Sequence, residues 1–124
     1  MILISPWVDV TMSNSDIKEY VELDPMPGID GLRRMGEVWA NGLEVTDPCV
    51  SPVYGNLSGL GRVTLRTGTR EILYPDTLLL ANKLKQAGVD CNLIVGERMI
   101  HCYPICPVPE AKPALAVICS AILR

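Results

Sequence analysis

Short β-type segments alternate with helical segments along this chain, and that alternation restricts its fold more than any other feature. Apolar runs and polar–apolar alternation predict strands at residues 1–5, 62–67 and 91–95. Apolar residues at helical spacing predict helices from Ile29 to a stop at Gly42, over residues 77–87, and from about residue 109 or 112 to Leu123. Strands that alternate with helices in this way are typical of a parallel sheet.

Right-handed crossovers between parallel strands place helices across the sheet. The expected fold class is therefore α/β, with three mainly parallel strands in a single domain over residues 1–124. Parallel sheets are ordinarily wider than this and covered on both faces. The first strand begins at Met1, so its outer edge is expected to be unpaired. The chain is predicted to be part of a larger sheet and to self-associate through exposed strand edges, as a dimer or larger assembly.

Charge and hydropathy exclude several classes of partner. The 11 Lys and Arg residues against 14 Asp and Glu residues give a net charge of −3, and there is no basic run. Nucleic acid and anionic lipid are therefore not expected as partners. No apolar segment reaches the ~20 residues that a membrane span needs. The first residues also lack the basic start and cleavage site of a signal peptide, so a cytoplasmic location is predicted.

The five cysteines are predicted to be reduced and structural, because an odd number at irregular spacing does not suit a disulfide framework. Cys102 and Cys106 are spaced as on one helical face, but Pro104 and Pro107 oppose a helix there. A zinc site needs further ligands, and His101 is the only histidine. Neither a metal nor any other cofactor is expected.

Chemistry-bearing residues follow two of the predicted strands. His101 comes shortly after the strand at 91–95, and Glu71 and Asp76 come after the strand at 62–67. Functional groups in open α/β sheets gather beyond the carboxyl ends of the strands, so a carboxylate here would be able to accept the ring N–H of His101. The alternatives are that Asp76 caps the helix beginning at Thr77 and that Glu71 is solvated.

A base and an orienting acid require a nucleophile, and the sequence offers no recognisable one. It contains no G-x-S-x-G motif; the segment Gly55-Asn-Leu-Ser-Gly59 has the wrong spacing and lies in a predicted loop. It also contains no Gly-Gly pair that would supply an oxyanion hole. Two members of a catalytic triad are predicted, and the third is missing.

Several segments resemble hormone-sensitive-lipase-like esterases of the α/β-hydrolase fold. Residues 3–11 (Leu-Ile-Ser-Pro-Trp-Val-Asp-Val-Thr) are similar to the strand that follows the nucleophile in that family. Residues 47–55 resemble its D-P-x-x-S-P-x-x-G segment, and residues 68–73 its strand-end acid segment. Residues 96–101 resemble its G-M-x-H loop with one residue inserted, and residues 109–111 the start of its final helix. The resemblance covers essentially the whole chain in the family's order.

This resemblance implies a partial α/β-hydrolase fold and a carboxylic-ester hydrolase acting on a small acyl ester. His101 takes the position of the general base. Glu71 takes the position of the acid, although many members carry Asp in a D-P-L segment where this chain has Glu71-Ile72-Leu73. Asp76 is the alternative acid. Glu performs the same role from one methylene further away, because that role is to orient and neutralise an imidazolium.

The family's oxyanion loop and nucleophile elbow lie upstream of the part that this chain resembles. The chain is therefore expected to be the C-terminal portion of such an enzyme: an expression fragment, the product of a truncated gene, or one half of a split protein. Without the nucleophile and the oxyanion loop it is expected to be inactive alone. The alternative function is a non-catalytic interaction or dimerisation module derived from the same fold. Packing in the core is expected for Trp7, Met35 and Trp39, with cover by an absent portion as the alternative.

Overall fold

The computed structural model describes residues 1–122 and contains a three-stranded parallel sheet. The strands are β1 (Ile2–Ile4), β2 (Val63–Gly68) and β3 (Cys91–Gly96), in the spatial order β1-β2-β3. Leu65 in β2 pairs in register with Leu3 and with Leu93. The predicted α/β class and the three parallel strands are confirmed, with bounds that differ from the predicted ones by at most one residue.

Two helices lie in the connections between the strands, and a third follows β3. The helices are α1 (Ile29–Ala40), α2 (Tyr74–Gln86) and α3 (Ala111–Ile122). Short 3-10 helices occur at Ser15–Tyr20, Pro52–Tyr54 and Tyr103–Ile105. The first of these lies in the connection between β1 and α1. The prediction that the last helix reaches Leu123 lies outside the described residues.

The core forms between β2 and α2 because β2 alternates apolar residues toward one face. Val63 and Leu65 are fully buried and pack against Leu80 and Leu84 of α2. Arg66 points to the opposite face, where its guanidinium donates to the Tyr103 hydroxyl at 2.9 and 2.6 Å. The central strand is therefore buried on both faces, as parallel strands usually are.

Helix α2 begins three residues earlier than its predicted start at Thr77. Pro75 lies in the first turn of the helix, where backbone N–H groups make no hydrogen bond within the helix. The absence of an N–H from proline therefore costs the helix nothing there. Asp76 consequently lies inside the first turn, and the helix has no side-chain cap. The prediction that Asp76 caps this helix is therefore wrong, because the proline moves the start of the helix ahead of it.

Helix α1 buries a face in which two of the three residues are small. Leu32, Gly36 and Ala40 are buried at a spacing of four residues, and a Cβ at Gly36 would overlap the side chain of Val10. Met35 and Trp39 are 55% and 72% exposed. The expectation that these two residues pack in the core is wrong, because Gly36 and Ala40 supply the close approach that the helix uses. No helix within residues 1–122 has the length and apolar character to cross a bilayer.

Candidate active site

Glu71 and His101 meet beyond the carboxyl ends of β2 and β3. The Glu71 side chain is fully buried, and Nδ1 of His101 lies 3.9 Å from its Oε2 atom. This distance suits an ion pair and is longer than a hydrogen bond. Because Glu71 is inaccessible to solvent, the alternative that it is a solvated residue is wrong. The structure therefore brings together two of the three predicted site residues.

The loop between β3 and His101 reaches Glu71 by crossing directly over the end of β2. Gly68 makes this possible, since a Cβ at that position would overlap the carbonyl group of Met99. The Arg70 N–H donates to the same Met99 carbonyl at 3.0 Å, and the Thr69 N–H donates to the Gly96 carbonyl at 3.0 Å. The loop that carries the histidine is thus held against the loop that carries the acid.

Two hydroxyl groups hold the carboxylate of Glu71. Ser5 Oγ donates to Oε2 at 2.6 Å, and Thr67 Oγ1 donates to Oε1. Burial raises the pKa of Glu71, while the hydroxyl groups of Ser5 and Thr67 act in the opposite direction and the nearby Asp24 carboxylate adds to the increase. The carboxylate is therefore desolvated, but two hydrogen-bond donors hold it in one orientation, as the orienting acid of a catalytic pair requires.

The imidazole of His101 is half-buried between this acid and a thiol. Its Nε2 atom lies 3.3 Å from Sγ of Cys102. Burial lowers the pKa of His101, and the Asp24 carboxylate opposes this effect. Among residues 1–122, Nδ1 has no hydrogen-bond partner and faces Glu71 across the 3.9 Å gap. A neutral imidazole in this position can accept a proton at Nε2 while a carboxylate stabilises the cation from the Nδ1 side.

Asp76 lies elsewhere in the fold. It is fully buried in the first turn of α2, where Asn14 Nδ2 donates to Oδ1 at 2.8 Å. Burial raises its pKa, while the hydrogen bond from Asn14 lowers it and the Asp9 carboxylate adds to the increase. Of the described residues, only Glu71 has a carboxyl oxygen within 4.0 Å of a ring nitrogen of His101.

Sequence reasoning did not identify Ser5, Thr67 or Asp24 as parts of this site. Ser5 follows β1, so all three strands contribute a residue at their carboxyl ends. Asp24 is buried and accepts the N–H of Ile72, the residue after Glu71, at 2.9 Å. The signal available in the sequence was the strand-end position of Ser5, which the rule for open α/β sheets also covers.

The chain is similar to known hydrolases along nearly its whole length. A family model described as "alpha/beta hydrolase fold" matches residues 1–105. An acetyl-hydrolase of Streptomyces hygroscopicus is 28% identical over 99% of this chain and 42% of its own length. An esterase of Acinetobacter venetianus is 29% identical over 95% of this chain and 40% of its own length. The crystal structure of an esterase from the bacterial hormone-sensitive lipase family superimposes with a TM-score of 0.90 at 29% identity, covering 94% of this chain and 40% of that one.

Proposed function

Because the chain belongs to the hormone-sensitive-lipase-like esterases and lipases of the alpha/beta hydrolase fold, we propose that it supplies the base and the acid of a carboxylic-ester hydrolase. The chain spans about 40% of the length of the acetyl-hydrolase and of the esterase that it matches. In this proposal His101 is the general base, Glu71 is the orienting acid, and a serine nucleophile and oxyanion hole come from a part of the enzyme outside these 124 residues.

The first half-reaction would acylate the serine. His101 Nε2 accepts the proton of the serine hydroxyl while the serine oxygen attacks the carbonyl carbon of the ester. The bond from that carbon to the alcohol oxygen then breaks, and Nε2 returns the proton to the departing alkoxide. The products are an acyl-serine and a free alcohol, and His101 is neutral again.

The second half-reaction would use water in place of the serine. Nε2 removes a proton from the water molecule as its oxygen attacks the acyl carbon. The bond from that carbon to the serine oxygen then breaks, Nε2 returns the proton to the serine oxygen, and the carboxylic acid product is released. Glu71 keeps its charge throughout and stabilises the imidazolium through Nδ1. Cys102 Sγ lies 3.3 Å from Nε2, the atom that would accept the serine proton. The thiol must therefore move to another rotamer when the serine binds to Nε2.

The observation that carries this proposal is the meeting of Glu71 with His101. Their 30-residue separation in sequence is bridged by the adjacent ends of β2 and β3, which leaves a buried carboxyl oxygen 3.9 Å from Nδ1. A solvated surface pair would have no reason to bury the carboxylate under two hydroxyl donors.

A chimera tests the proposal, because a known esterase then supplies the nucleophile and the oxyanion hole. Residues 1–124 would replace the matching segment of the Acinetobacter venetianus esterase, and hydrolysis of short-chain nitrophenyl esters would be measured. We expect turnover by the chimera, and a loss of about 10³-fold or more with His101→Ala. The 124-residue chain alone should show neither turnover nor labelling by a fluorophosphonate serine probe. Labelling of the chain alone that depends on His101 would mean that one of its own serines is the nucleophile.

Self-association remains the second proposed property, and it is also what the alternative function as an interaction module requires. Beside β1 lies a mainly apolar cavity of about 550 Å³, lined in part by Leu3, Trp7 and Leu57. We also propose a cytoplasmic location. The five cysteines support it, because all of them are free thiols, as is usual in a reducing compartment.

A further inference from the structure

Ser5 occupies an unfavourable backbone conformation at the end of β1. Its φ angle is +46°, in the left-handed region where a residue with a Cβ is less stable than glycine. Its side chain is nevertheless buried, and its N–H still donates to the Arg66 carbonyl at 2.7 Å, so β1 remains paired with β2 through this residue. A serine in this conformation indicates that its hydroxyl group makes interactions that glycine would lack.

The hydroxyl of Ser5 makes two hydrogen bonds that connect both sides of the site. It donates to Glu71 Oε2 at 2.6 Å and accepts from the N–H of Cys102 at 2.9 Å. Cys102 immediately follows His101 and is itself left-handed, with a φ angle of +53°. One oxygen atom therefore touches the acid and the backbone next to the base, using both its donor and its acceptor capacity.

We propose that Ser5 is a positioning residue that keeps the Glu71 carboxylate charged and anchors the backbone of the histidine loop. This inference rests on the proposed roles of Glu71 and His101. Donation from a hydroxyl to a carboxylate is a charge-assisted hydrogen bond, which favours the ionised form of a group that burial would otherwise neutralise. The hydrogen bond that Ser5 Oγ accepts from the Cys102 N–H fixes the peptide next to His101. It thereby helps to fix the distance between His101 Nδ1 and Glu71 Oε2.

Thr67 provides a matched comparison, because it contacts the same carboxylate without reaching the histidine loop. Its Oγ1 atom donates to the other oxygen, Oε1. The remaining titratable groups near the pair are Asp24, whose carboxylate influences Glu71 and His101, and the thiols of Cys102 and Cys106. These groups are present in every variant, and of them the Cys102 thiol also responds to Ser5, whose hydroxyl lowers its pKa.

The experiment compares Ser5→Gly, Ser5→Ala and Thr67→Val in the 124-residue chain by NMR. Glycine suits a positive φ angle, so Ser5→Gly removes the hydroxyl without opposing the backbone. His101 is the only histidine, so its titration is observed without overlap. The Glu71 carboxyl carbon and the exchange rate of the Cys102 amide are followed in the same samples. Ser58→Ala removes an exposed hydroxyl that donates only to Asn56 and is the control.

In both Ser5 variants we expect the pKa of Glu71 to rise by about one unit, because a charge-assisted hydrogen bond is lost. The imidazolium fraction of His101 at a given pH should fall, since its anionic partner is more often protonated. The Cys102 amide should exchange about tenfold faster or more. Thr67→Val should raise the pKa of Glu71 and leave the Cys102 amide protected, while Ser58→Ala should change none of these quantities.

Unchanged titration of both Glu71 and His101 in Ser5→Gly would overturn the inference and leave Ser5 with a packing role only. These measurements do not involve ester turnover. An inactive chimera combined with shifted titrations would therefore refute the proposed esterase function alone. An active chimera with titrations like those of the wild type would refute the role of Ser5 alone.

Discussion

Glu71 and Asp76 are both fully buried carboxyl groups, and their hydrogen bonds differ in a way that separates their roles. Both oxygens of Glu71 accept hydroxyl hydrogen bonds, and one of them faces the histidine. Asp76 accepts an amide hydrogen bond from Asn14 at Oδ1, while Oδ2 has no hydrogen-bond partner in the described part of the chain. The first arrangement suits an ion that acts on a neighbour, and the second suits a residue that links α2 to the start of the 3-10 helix at Ser15–Tyr20.

The acid can be assigned from the titration of His101 in two isosteric variants. Glu71→Gln should lower the pKa of His101 by about one unit, because it removes an anion within ion-pair distance of Nδ1. Asp76→Asn should leave that pKa within about 0.2 units of the wild type. Proton NMR of the single imidazole measures both. A larger shift in Asp76→Asn than in Glu71→Gln would make Asp76 the acid.

Stability will change in the same direction in both variants and therefore serves as a folding control. Burial raises the pKa of Glu71 above 4.5 and that of Asp76 above 3.8. A carboxyl group of this kind contributes stability that is complete below its unfolded pKa and is lost as the pH rises through its folded pKa. Each variant should therefore gain in free energy of unfolding relative to the wild type as the pH rises above the unfolded pKa of the carboxyl group that it removes. Urea unfolding across this range measures the gain, and a relative loss with rising pH would contradict it.

At the level of elements, the sequence predicted the strands and the start of α1 well, and the start of α2 less well. The three strands were recognisable because β-branched and apolar residues fill short segments bounded by Pro, Gly or Asp. Helix α2 was predicted too short because Tyr74 and Pro75 look like a loop until the proline is placed in the first turn. The buried face of α1 was misjudged because glycine and alanine carry little apolar signal, although they allow the closest packing.

The supports of the site were beyond the reach of sequence periodicity. Ser5 and Glu71 are 66 residues apart, and Cys102 is 97 residues from Ser5. Pattern reasoning places His101 and Glu71 at strand ends, but it does not show which side chains point toward them. That information depends on the register of β1 against β2 and on the left-handed turn at Ser5, neither of which leaves a periodic signal.

The crossing of the histidine loop over β2 depends on the missing side chain of Gly68. Gly68→Ala should lower the free energy of unfolding by about 1–3 kcal/mol, because the new methyl group overlaps the Met99 carbonyl and forces the loop away. Gly61→Ala is the matched control, since nothing lies within 4 Å of a Cβ there, and it should change stability by no more than about 0.5 kcal/mol. Urea unfolding measures both. Equal effects of the two variants would show that the loop does not need this close approach.

At the scale of the whole molecule, the sheet is open along β1. Ser5 N and the Met1 carbonyl bond to β2, so the backbone groups of Ile2 and Ile4, which alternate with them, point to the other edge. Within residues 1–122, β1 pairs with β2 alone. The apolar cavity beside this strand adds side-chain surface to the unpaired backbone. An open edge next to apolar surface is a site where another strand adds to a sheet.

A proline at this edge tests whether a second copy of the chain pairs there. Ile2→Pro removes the outward N–H while leaving the bonds from β1 to β2 in place, whereas Ile2→Ala removes a similar amount of side chain and keeps that N–H. Sedimentation velocity over a range of concentrations should show a reversible dimer for the wild type. The dimer dissociation constant should rise about tenfold more in Ile2→Pro than in Ile2→Ala, because lost backbone hydrogen bonds are worth about 1 kcal/mol each. A monomer at every concentration, or equal effects of the two variants, would rule out pairing through β1 and leave this edge for the part of the hydrolase that we propose supplies the nucleophile.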